Sequence, residues 1–335
     1  EEPLAAARRR ALELGDGGVL PIQGPPGTGK TFTGARMIVK LVDAGRKVGI
    51  TAQSHKAITN MLTLTWEAAA ERGIALRAIQ KCDTGDDGAH LDGVVLAEDN
   101  ADVAGGLASG SFRIAAGTSW LFARQEMEDL IDVLFVDEAG QMSLANVVAM
   151  SGCARSIVLL GDPNQLPQVS QGVHPEGAGA SALEHLVGDA VTVAPERGLF
   201  LGTTYRLHPA INDYISETFY EDRLEPDETT ARQRIDGPPP LGGVGIRWLP
   251  IGHAGDESSS RAEAHAAAGA VHELLWRTWT NRDGEQRPLT IDDVLIVAPY
   301  NAQVALVHAT ILDRIGTRGR VGTVVSAFEF FFSFY

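Results

Sequence analysis

The segment Gly24–Thr31 has the residue types and the spacing of a loop that binds phosphate. It reads GPPGTGKT and fits the pattern G-x-x-x-x-G-K-[ST] in full. Glycines allow the backbone to curl so that successive N–H groups point inward at a phosphate. Lys30 can reach the β- and γ-phosphates of a nucleoside triphosphate, and the Thr31 hydroxyl can bind Mg²⁺. The predicted contacts to ATP are Gly24, Pro25, Pro26, Gly27, Thr28, Gly29, Lys30 and Thr31.

A pair of carboxylates, Asp137 and Glu138, follows the apolar run Val133–Val136. The C-terminal tip of a parallel strand is where ligands bind in open α/β sheets. We predict that Asp137 and Thr31 together hold Mg²⁺. Glu138 is then placed to orient and polarise the water that attacks the γ-phosphate. An isolated Asp-Glu pair is usually a solvated loop, but the apolar strand and the phosphate loop upstream favour catalysis.

Strands and helices must alternate along the chain to bring these two motifs together. Short apolar runs separated by helical patterns predict a parallel α/β sheet flanked by helices. The predicted strands are Val19–Ile22, Val48–Ala52, Arg113–Ala116, Val133–Val136, Ile157–Leu160 and Val294–Ala298. The helix between the first two is predicted from apolar residues with helical spacing, at Ala35, Ile38, Val39 and Val42. Pro21 is unexpected in a strand, since proline cannot donate a ladder hydrogen bond.

The composition is that of an ordinary globular chain. Its 335 residues are more than one compact core usually holds, so we expect two domains. Neither a membrane-spanning run nor a signal peptide is recognisable, and Cys82 and Cys153 are expected to be buried thiols in a reducing cytoplasm. The formal net charge of −15 argues against a nucleic-acid partner at first sight. Such a partner needs only a local basic track, so the charge does not exclude it.

With both motifs in place, the chain resembles the superfamily 1B helicases over roughly residues 19–324. The loop GPPGTGKT followed by DEAGQ at Asp137–Gln141 is typical of that group. Further segments resemble its motifs in the expected order, namely Thr51–Ala57 (motif Ia), Ala116–Ser119 (motif Ic), Leu160–Pro167 (motif III), Thr204–Pro209 (motif IIIa) and Val297–Gln303 (motif IV). A narrower similarity, to the helicase region of bacterial proteins with an N-terminal RecB-like nuclease, depends on IQKCD, on Trp120–Arg124 and on QVSQGVHPEGAGASALEHL.

The resemblance implies roles for residues that the spacing alone does not assign. Gln165 in motif III would contact the γ-phosphate and sense hydrolysis, and Arg206 would supply positive charge to the same group. Tyr205 either stacks on the adenine or packs in the core, and the sequence does not separate the two. The predicted catalytic residues are Lys30, Asp137, Glu138, Gln165 and Arg206.

Motifs Ia, Ic and IV contain the predicted nucleic-acid contacts. Small polar side chains and loop N–H groups at strand ends suit contacts to a phosphate backbone, which position a strand without reading its sequence. The predicted residues are Ser54, His55, Lys56, Thr118, Ser119, Pro299 and Tyr300. Trp120 suits stacking on a base. An aromatic residue beside an apolar run is more often part of the core, and the core is the interpretation that we prefer.

The domain organisation is predicted from turn-forming stretches and from the family pattern. Residues 1–236 are predicted to form a RecA-like ATP-binding domain with a polar insertion at about 66–112, and GPPPLGG at Gly237–Gly243 marks the boundary. Residues 237–335 are predicted to form a partial second RecA-like domain. Only Ser326–Glu329 resembles part of motif V of the family, and motif VI is missing.

The sequence as a whole predicts an ATP-dependent helicase or translocase that couples hydrolysis to movement on nucleic acid. The resemblance implies single-stranded DNA rather than RNA, movement from 5′ to 3′, and a RecB-like nuclease domain in the same polypeptide. Two alternatives stay open. One is an RNA helicase of the same superfamily, and the other is a nucleotide-binding module that is inactive as a motor because the C-terminal motifs are missing.

Overall fold

The computed structural model describes residues 2–83, 85, 88–165 and 179–323. Leu166 and Pro167 of the predicted motif III lie outside the described residues. The same is true of the segment 324–335, which contains the predicted remnant of motif V.

The chain divides into two compact units. The first unit comprises the residues up to Arg206 together with Ile215–Glu225. The second comprises Leu207–Tyr214 and the residues from Pro226 onward. The assignment of two RecA-like domains with a boundary after residue 236 stays a prediction.

An eight-stranded sheet forms the centre of the first unit, and every described pairing within it is parallel. Its strands are β1 (Val19–Gln23), β2 (Val48–Thr51), β3 (Ala78–Lys81), β4 (Val94–Ala97), β5 (Ile114–Ala116), β6 (Ile131–Val136), β7 (Ala154–Gly161) and β8 (Leu199–Phe200). Their order across the sheet is β4-β3-β5-β2-β6-β7-β1-β8. Two short strands follow in the chain, β9 (Thr203–Thr204) and β10 (Glu225–Pro226).

Helices cover both faces of this sheet. The helices of this part of the chain are α1 (Pro3–Glu13), α2 (Lys30–Asp43), α3 (His55–Ala70), α4 (Asn100–Ala108), α5 (Ser119–Phe122), α6 (Leu144–Met150), α7 (Ala182–Val187) and α8 (Pro209–Phe219). Buried side chains of α1, α2 and α3 share one hydrophobic core, and those of α4 to α7 share a second. The sheet therefore separates two cores, which requires its central strands to be apolar on both faces.

The β6 strand shows how the sequence meets this requirement. Val133 and Phe135 belong to the first core, whereas Leu134 and Val136 belong to the second. Successive side chains of a strand point to opposite faces, so a continuous apolar run is what a doubly covered strand needs. The α/β fold with a large parallel sheet flanked by helices is confirmed.

The six predicted strands all appear in the structure, with ends that differ by at most three residues. Pro21 lies inside β1, between β7 and β8. The neighbour β8 is only two residues long and pairs with Ile22 and Gln23, so Pro21 has no strand partner on that side. The missing N–H group of the proline therefore interrupts no ladder.

The segment 66–112, predicted as a polar insertion, contributes two strands to the main sheet. β3 pairs with β5, and β4 pairs with β3 at the edge. The polar stretch at 83–100 obscures β4, whose central residues Val95 and Leu96 are 45% and 39% exposed. The strand itself is a short apolar run, VVLA, but the polar residues on both sides of it favoured the prediction of a surface insertion.

The second unit has its own smaller core. The helices α9 (Arg261–Leu274) and α10 (Asn301–Ile315) pack with a parallel pair, β14 (Leu295–Val297) and β15 (Arg320–Gly322). A separate antiparallel sheet is formed by β11 (Arg234–Ile235), β12 (Thr278–Thr280) and β13 (Gln286–Pro288). The predicted strand Val294–Ala298 corresponds to β14.

Both cysteines are buried, and neither forms a disulfide. Burial raises the pKa of the Cys153 thiol to about 12. No helix within the described ranges is long and apolar enough to cross a bilayer.

Replacing Phe135 by alanine should test the importance of the doubly covered strand. Phe135 is fully buried, and its removal leaves a cavity in the first core, so we expect the free energy of unfolding to fall by about 3–5 kcal/mol. Val148→Ala is the control, since Val148 is 60% exposed and should change stability by less than about 0.5 kcal/mol. Urea unfolding followed by circular dichroism measures both, and equal stability of the two variants would contradict the assignment.

Candidate nucleotide-binding site

The C-terminal ends of β1, β6 and β7 meet at one edge of the main sheet. Gly24 N–H donates to Gly161 O at 2.9 Å, and Ala139 N–H donates to Leu160 O at 2.8 Å. A Cβ atom on Gly140 would lie 2.2 Å from Asp162 O, so these loops pack backbone against backbone. The phosphate loop, the predicted carboxylates and motif III are thereby brought to one place, as the parallel fold requires.

The phosphate loop has the shape that its glycines predict. Gly27 and Gly29 adopt φ values of +78° and +75°, which favour residues without a Cβ. A Cβ on Gly24 would lie 2.4 Å from Lys30 Cγ. Lys30 Nζ donates to Gly24 O at 2.5 Å, across the mouth of the loop. The loop is therefore a cradle of backbone that side chains would fill, which fits a bound triphosphate.

The predicted metal ligands lie together beside this cradle. Thr31 Oγ1 donates to Asp137 Oδ2 at 3.3 Å, joining the first turn of α2 to the end of β6. A hydroxyl and a carboxylate are the hard oxygen donors that Mg²⁺ prefers, and the ion commonly uses few protein ligands together with phosphate oxygens. The donor set therefore fits Mg²⁺ bound with a nucleotide.

Glu138 has an unusual backbone conformation at the start of the next loop. Its φ is +56°, a region that few residues other than glycine adopt. Its N–H group donates to Asp137 Oδ1 at 2.9 Å. Burial raises the pKa of Glu138 to about 7, and the charge of Asp137 acts in the same direction. A carboxylate with such a pKa suits proton transfer near neutral pH.

Lys30 and Asp137 occupy a poorly hydrated environment. Burial lowers the pKa of the Lys30 ammonium, and Arg206 acts in the same direction, while Asp162 and Asp137 oppose the shift. Burial also raises the pKa of Asp137, against hydrogen bonds from Glu138 and Thr31 and the charge of Lys30. An anionic ligand at the loop would favour the charged form of Lys30, so this environment is suited to a phosphate group.

The segment Thr204–Arg206 packs directly on the phosphate loop. Thr204 Oγ1 donates to Pro26 O at 2.9 Å, and Tyr205 N–H donates to Gly27 O at 2.8 Å. A Cβ on Gly27 would lie 2.3 Å from Arg206 Cβ. The predicted γ-phosphate residue Arg206 therefore belongs to a segment that the cradle itself positions. Tyr205 is 46% exposed, which excludes the core alternative for its side chain.

Motif III is held by residues that the sequence analysis did not select. Asp162 is buried and accepts hydrogen bonds from the Tyr220 hydroxyl at 2.6 Å and from Asn164 N–H at 3.2 Å. Gln23 Nε2 lies 3.5 Å from Asp162 Oδ1, and Gln23 Oε1 accepts from Val193 N–H at 2.7 Å.

The predicted sensor Gln165 follows this anchored turn, and its N–H group donates to Asp162 O at 3.3 Å. A glutamine directly after the apolar run Val19–Ile22 is the sequence signal that could have pointed to Gln23. The sequence contains no signal for Tyr220, which is 58 residues from Asp162 in the chain.

Five of the predicted nucleic-acid contacts lie at the same edge of the sheet. They follow two adjacent strands, β2 and β5. Ser54 is the N-cap residue before α3, and its side chain accepts from Ala57 N–H at 3.2 Å. The group consists of Ser54, His55, Lys56, Thr118 and Ser119. The last two predicted contacts, Pro299 and Tyr300, are exposed residues of the second unit, after β14.

Trp120 is not part of the core, contrary to our preferred interpretation. Its side chain is 83% exposed, whereas the following Leu121 and Phe122 are each 1% exposed. Leu121 and Phe122 pack in the second core, and the short helix α5 places the Trp120 indole on the solvent side.

Known families and proteins match this chain along most of its length. A sequence profile described as an AAA domain matches residues 5–183, more than half of the chain. The chain belongs to the AAA domain family. A second profile of the same description matches residues 179–327. The prediction of a P-loop nucleotide-binding fold is thereby confirmed.

Curated relatives of this AAA domain chain are named as helicases or as a DNA-binding protein. The DNA-binding protein SMUBP-2 of Rattus norvegicus is 25% identical over 359 residues, which covers 88% of this chain and 35% of that protein. The DNA polymerase alpha-associated DNA helicase A of Schizosaccharomyces pombe is 23% identical over 369 residues, covering 90% and 53%. The 5′-3′ DNA helicase ZGRF1 of Mus musculus is 35% identical over 95 residues, covering 28% and 5%.

This AAA domain chain spans about half or less of the length of these relatives. Their names agree with the predicted resemblance to superfamily 1 helicases, and the similarity to a RecB-like nuclease fusion stays a prediction. Among solved structures, the Arterivirus nonstructural protein 10 helicase with DNA has a TM-score of 0.40 and 17% identity, covering 66% of this chain and 44% of that one. The PRRSV helicase has a TM-score of 0.40 and 16% identity, covering 96% and 53%.

Replacing Gly27 by alanine tests the packing of Thr204–Arg206 on the cradle. The new Cβ would meet Arg206 Cβ and would require a φ of +78°, so we expect affinity for ATP to fall about ten-fold or more. A fluorescent ATP analogue titrated in the presence of Mg²⁺ measures the dissociation constant. Gly152→Ala is the control, because its Cβ would meet no atom within 4 Å. Unchanged affinity of Gly27→Ala would contradict the close contact.

Tyr220→Phe tests the anchor of motif III. Burial and the charge of Asp162 raise the pKa of the Tyr220 hydroxyl above its ordinary value. Its stabilising effect is therefore complete below the unfolded-state pKa of about 10 and is lost as the pH rises further. We expect the variant to lose about 1.5–3 kcal/mol of unfolding free energy at pH 7.

The loss should diminish in alkaline solution, and chemical unfolding at pH 7 and above pH 10 measures it. Tyr214→Phe, at a side chain that is 57% exposed, is the control and should change little. A loss independent of pH would contradict the assigned hydrogen bond.

Proposed function

We propose that this chain is the ATP-hydrolysing motor region of a helicase that moves on single-stranded DNA from 5′ to 3′. The observation that carries the proposal is the assembly around the phosphate loop. Thr31 and Asp137 lie within hydrogen-bond distance, Glu138 follows them, and Thr204–Arg206 packs on Gly27. A simple nucleotide-binding loop has no need of the last two features.

Each residue of this assembly has a distinct task in the proposal. The backbone of the cradle and Lys30 bind the β- and γ-phosphates of ATP. Thr31 and Asp137 hold Mg²⁺, which supplies charge neutralisation to the phosphate oxygens when bound. The Glu138 carboxylate orients a water molecule and accepts its proton at an Oε atom. Arg206 and Gln165 stabilise the charge of the γ-phosphate and respond to its loss.

The position of motif Ia and motif Ic residues supports a nucleic-acid partner. Ser54, Lys56 and Thr118 lie at the sheet edge that also carries the nucleotide site, in the loops after β2 and β5. Strands β2 and β6 are neighbours, so a change at Asp137 is one strand away from the residues after β2. Because β2 and β6 are adjacent, hydrolysis at the nucleotide site can be coupled over a short distance to the contacts with the nucleic acid.

The names of the relatives support DNA and the direction of movement. Two of them are named as DNA helicases, one of these as a 5′-3′ DNA helicase, and a third as a DNA-binding protein. On these grounds we prefer DNA to RNA and movement from 5′ to 3′.

Hydrolysis of ATP with and without a single-stranded oligonucleotide tests the proposal. We expect DNA to stimulate turnover, and Glu138→Gln to lower it by about 10²–10⁴-fold with little loss of ATP affinity, because the cradle is unchanged. Lys30→Ala should instead lose affinity for the nucleotide. Phosphate release and binding of a fluorescent ATP analogue distinguish the two variants.

Three outcomes would revise the proposal. ATP binding that depends on Lys30 without turnover would indicate a nucleotide-binding module. Stimulation by an RNA oligonucleotide and not by DNA of the same length would indicate an RNA helicase. Displacement of a duplex only when the single-stranded tail is 3′ would reverse the direction.

A further inference from the structure

Trp120 is a large apolar side chain on a rigid base at the edge of the main sheet. The indole is 83% exposed, and Leu121 and Phe122 fix the short helix α5 in the second core. Its backbone is therefore held firmly while its ring faces solvent. A rigid aromatic ring loses little conformational freedom when a flat partner binds to it.

The surroundings of Trp120 carry groups that suit a phosphate backbone. Trp120 follows Thr118 and Ser119, which end the loop after β5. Strand β5 lies between β2 and β3, and Ala116 is opposite Ile50 on one side and Gln80 on the other. The first turn of α3, which carries Lys56, therefore follows a strand adjacent to the one that precedes α5, which carries Trp120.

Basic side chains occur at this edge although the chain has a net charge of −15. Lys56 is the second residue of α3, and Arg124 follows Trp120 by four residues. Lys81, at the end of β3, is paired with Asp83 at 2.5 Å, so its charge is partly offset. A single exposed tryptophan needs no explanation on an ordinary surface. Its position beside polar loop groups and these cations distinguishes it.

We propose that Trp120 is a stacking platform for one base of the bound single strand. The proposal depends on the proposed function, since it requires that nucleic acid binds at this edge. Phosphate oxygens contact the loops after β2 and β5, and the face of a base lies against the indole. Stacking accepts every base, because each has a flat π-face, so the contact adds affinity without sequence preference.

The test is the affinity of the 335-residue chain for a fluorescein-labelled oligothymidine, measured by anisotropy. We expect Trp120→Ala to weaken binding roughly 5- to 150-fold and Trp120→Phe to retain part of the affinity. Trp248→Ala is the matched control, because Trp248 is 86% exposed in the second unit. Thermal unfolding of Trp120→Ala should match the wild type, since the side chain buries little area.

Two further measurements separate stacking from charge and from structural damage. An oligonucleotide with abasic sites has the same phosphates and no bases, and on it Trp120→Ala should bind as the wild type does. The dependence of affinity on salt reports the number of phosphate contacts. Trp120→Ala should keep the slope of the wild type, whereas Lys56→Ala should reduce it by about 1.

The outcomes are distinguishable from failure of the proposed function. Wild-type affinity of Trp120→Ala for oligothymidine, with a normal salt dependence of both proteins, overturns the stacking platform and leaves the proposed function intact. Equal losses on normal and abasic strands also overturn it, because the defect would not involve a base. Absence of any binding by the wild type overturns both proposals.

Discussion

Parallel pairing of β1, β7 and β6 is the constraint on which the rest of the site depends. Because these strands run in the same direction, the loops after them begin at one edge of the sheet. Glycines in these loops allow the three segments to approach each other backbone to backbone, as at Gly140 and Asp162. A change of register between two of these strands would move Thr31 away from Asp137, so the predicted metal ligands would no longer lie together.

Gly27 has a second role that the phosphate-binding pattern does not describe. Its missing side chain leaves room for Arg206 and for the hydrogen bond from Tyr205 N–H. The loop thus packs against a neighbouring segment, in addition to the phosphate contacts that its sequence pattern predicts. The loop and Thr204–Arg206 are therefore positioned as one piece, which the separation of almost 180 residues conceals in the sequence.

The sequence was sufficient where short-range chemistry determines structure. The phosphate loop, the apolar strand before Asp137 and the helical spacing of α2 each have a local cause, and the structure contains all three. The sequence was insufficient where a residue distant in the chain determines the position or the burial of a side chain. Tyr220, just after α8, contacts Asp162, which is 58 residues away in the chain. β4 is a short apolar run inside a polar stretch, and it becomes a strand by pairing with β3. Trp120 is exposed, whereas the next two residues, Leu121 and Phe122, are in the core.

The edge strand β8 affects how the sheet behaves toward other molecules. An open parallel sheet offers unpaired backbone groups at its margins, and these can recruit strands from other chains. β8 has only two residues, and it pairs with Ile22 and Gln23, which follow Pro21 in β1. This edge of the sheet therefore presents few consecutive backbone N–H and C=O groups to another strand. The short strand and Pro21 therefore act together against edge-to-edge aggregation, a protection that lengthening β8 would remove.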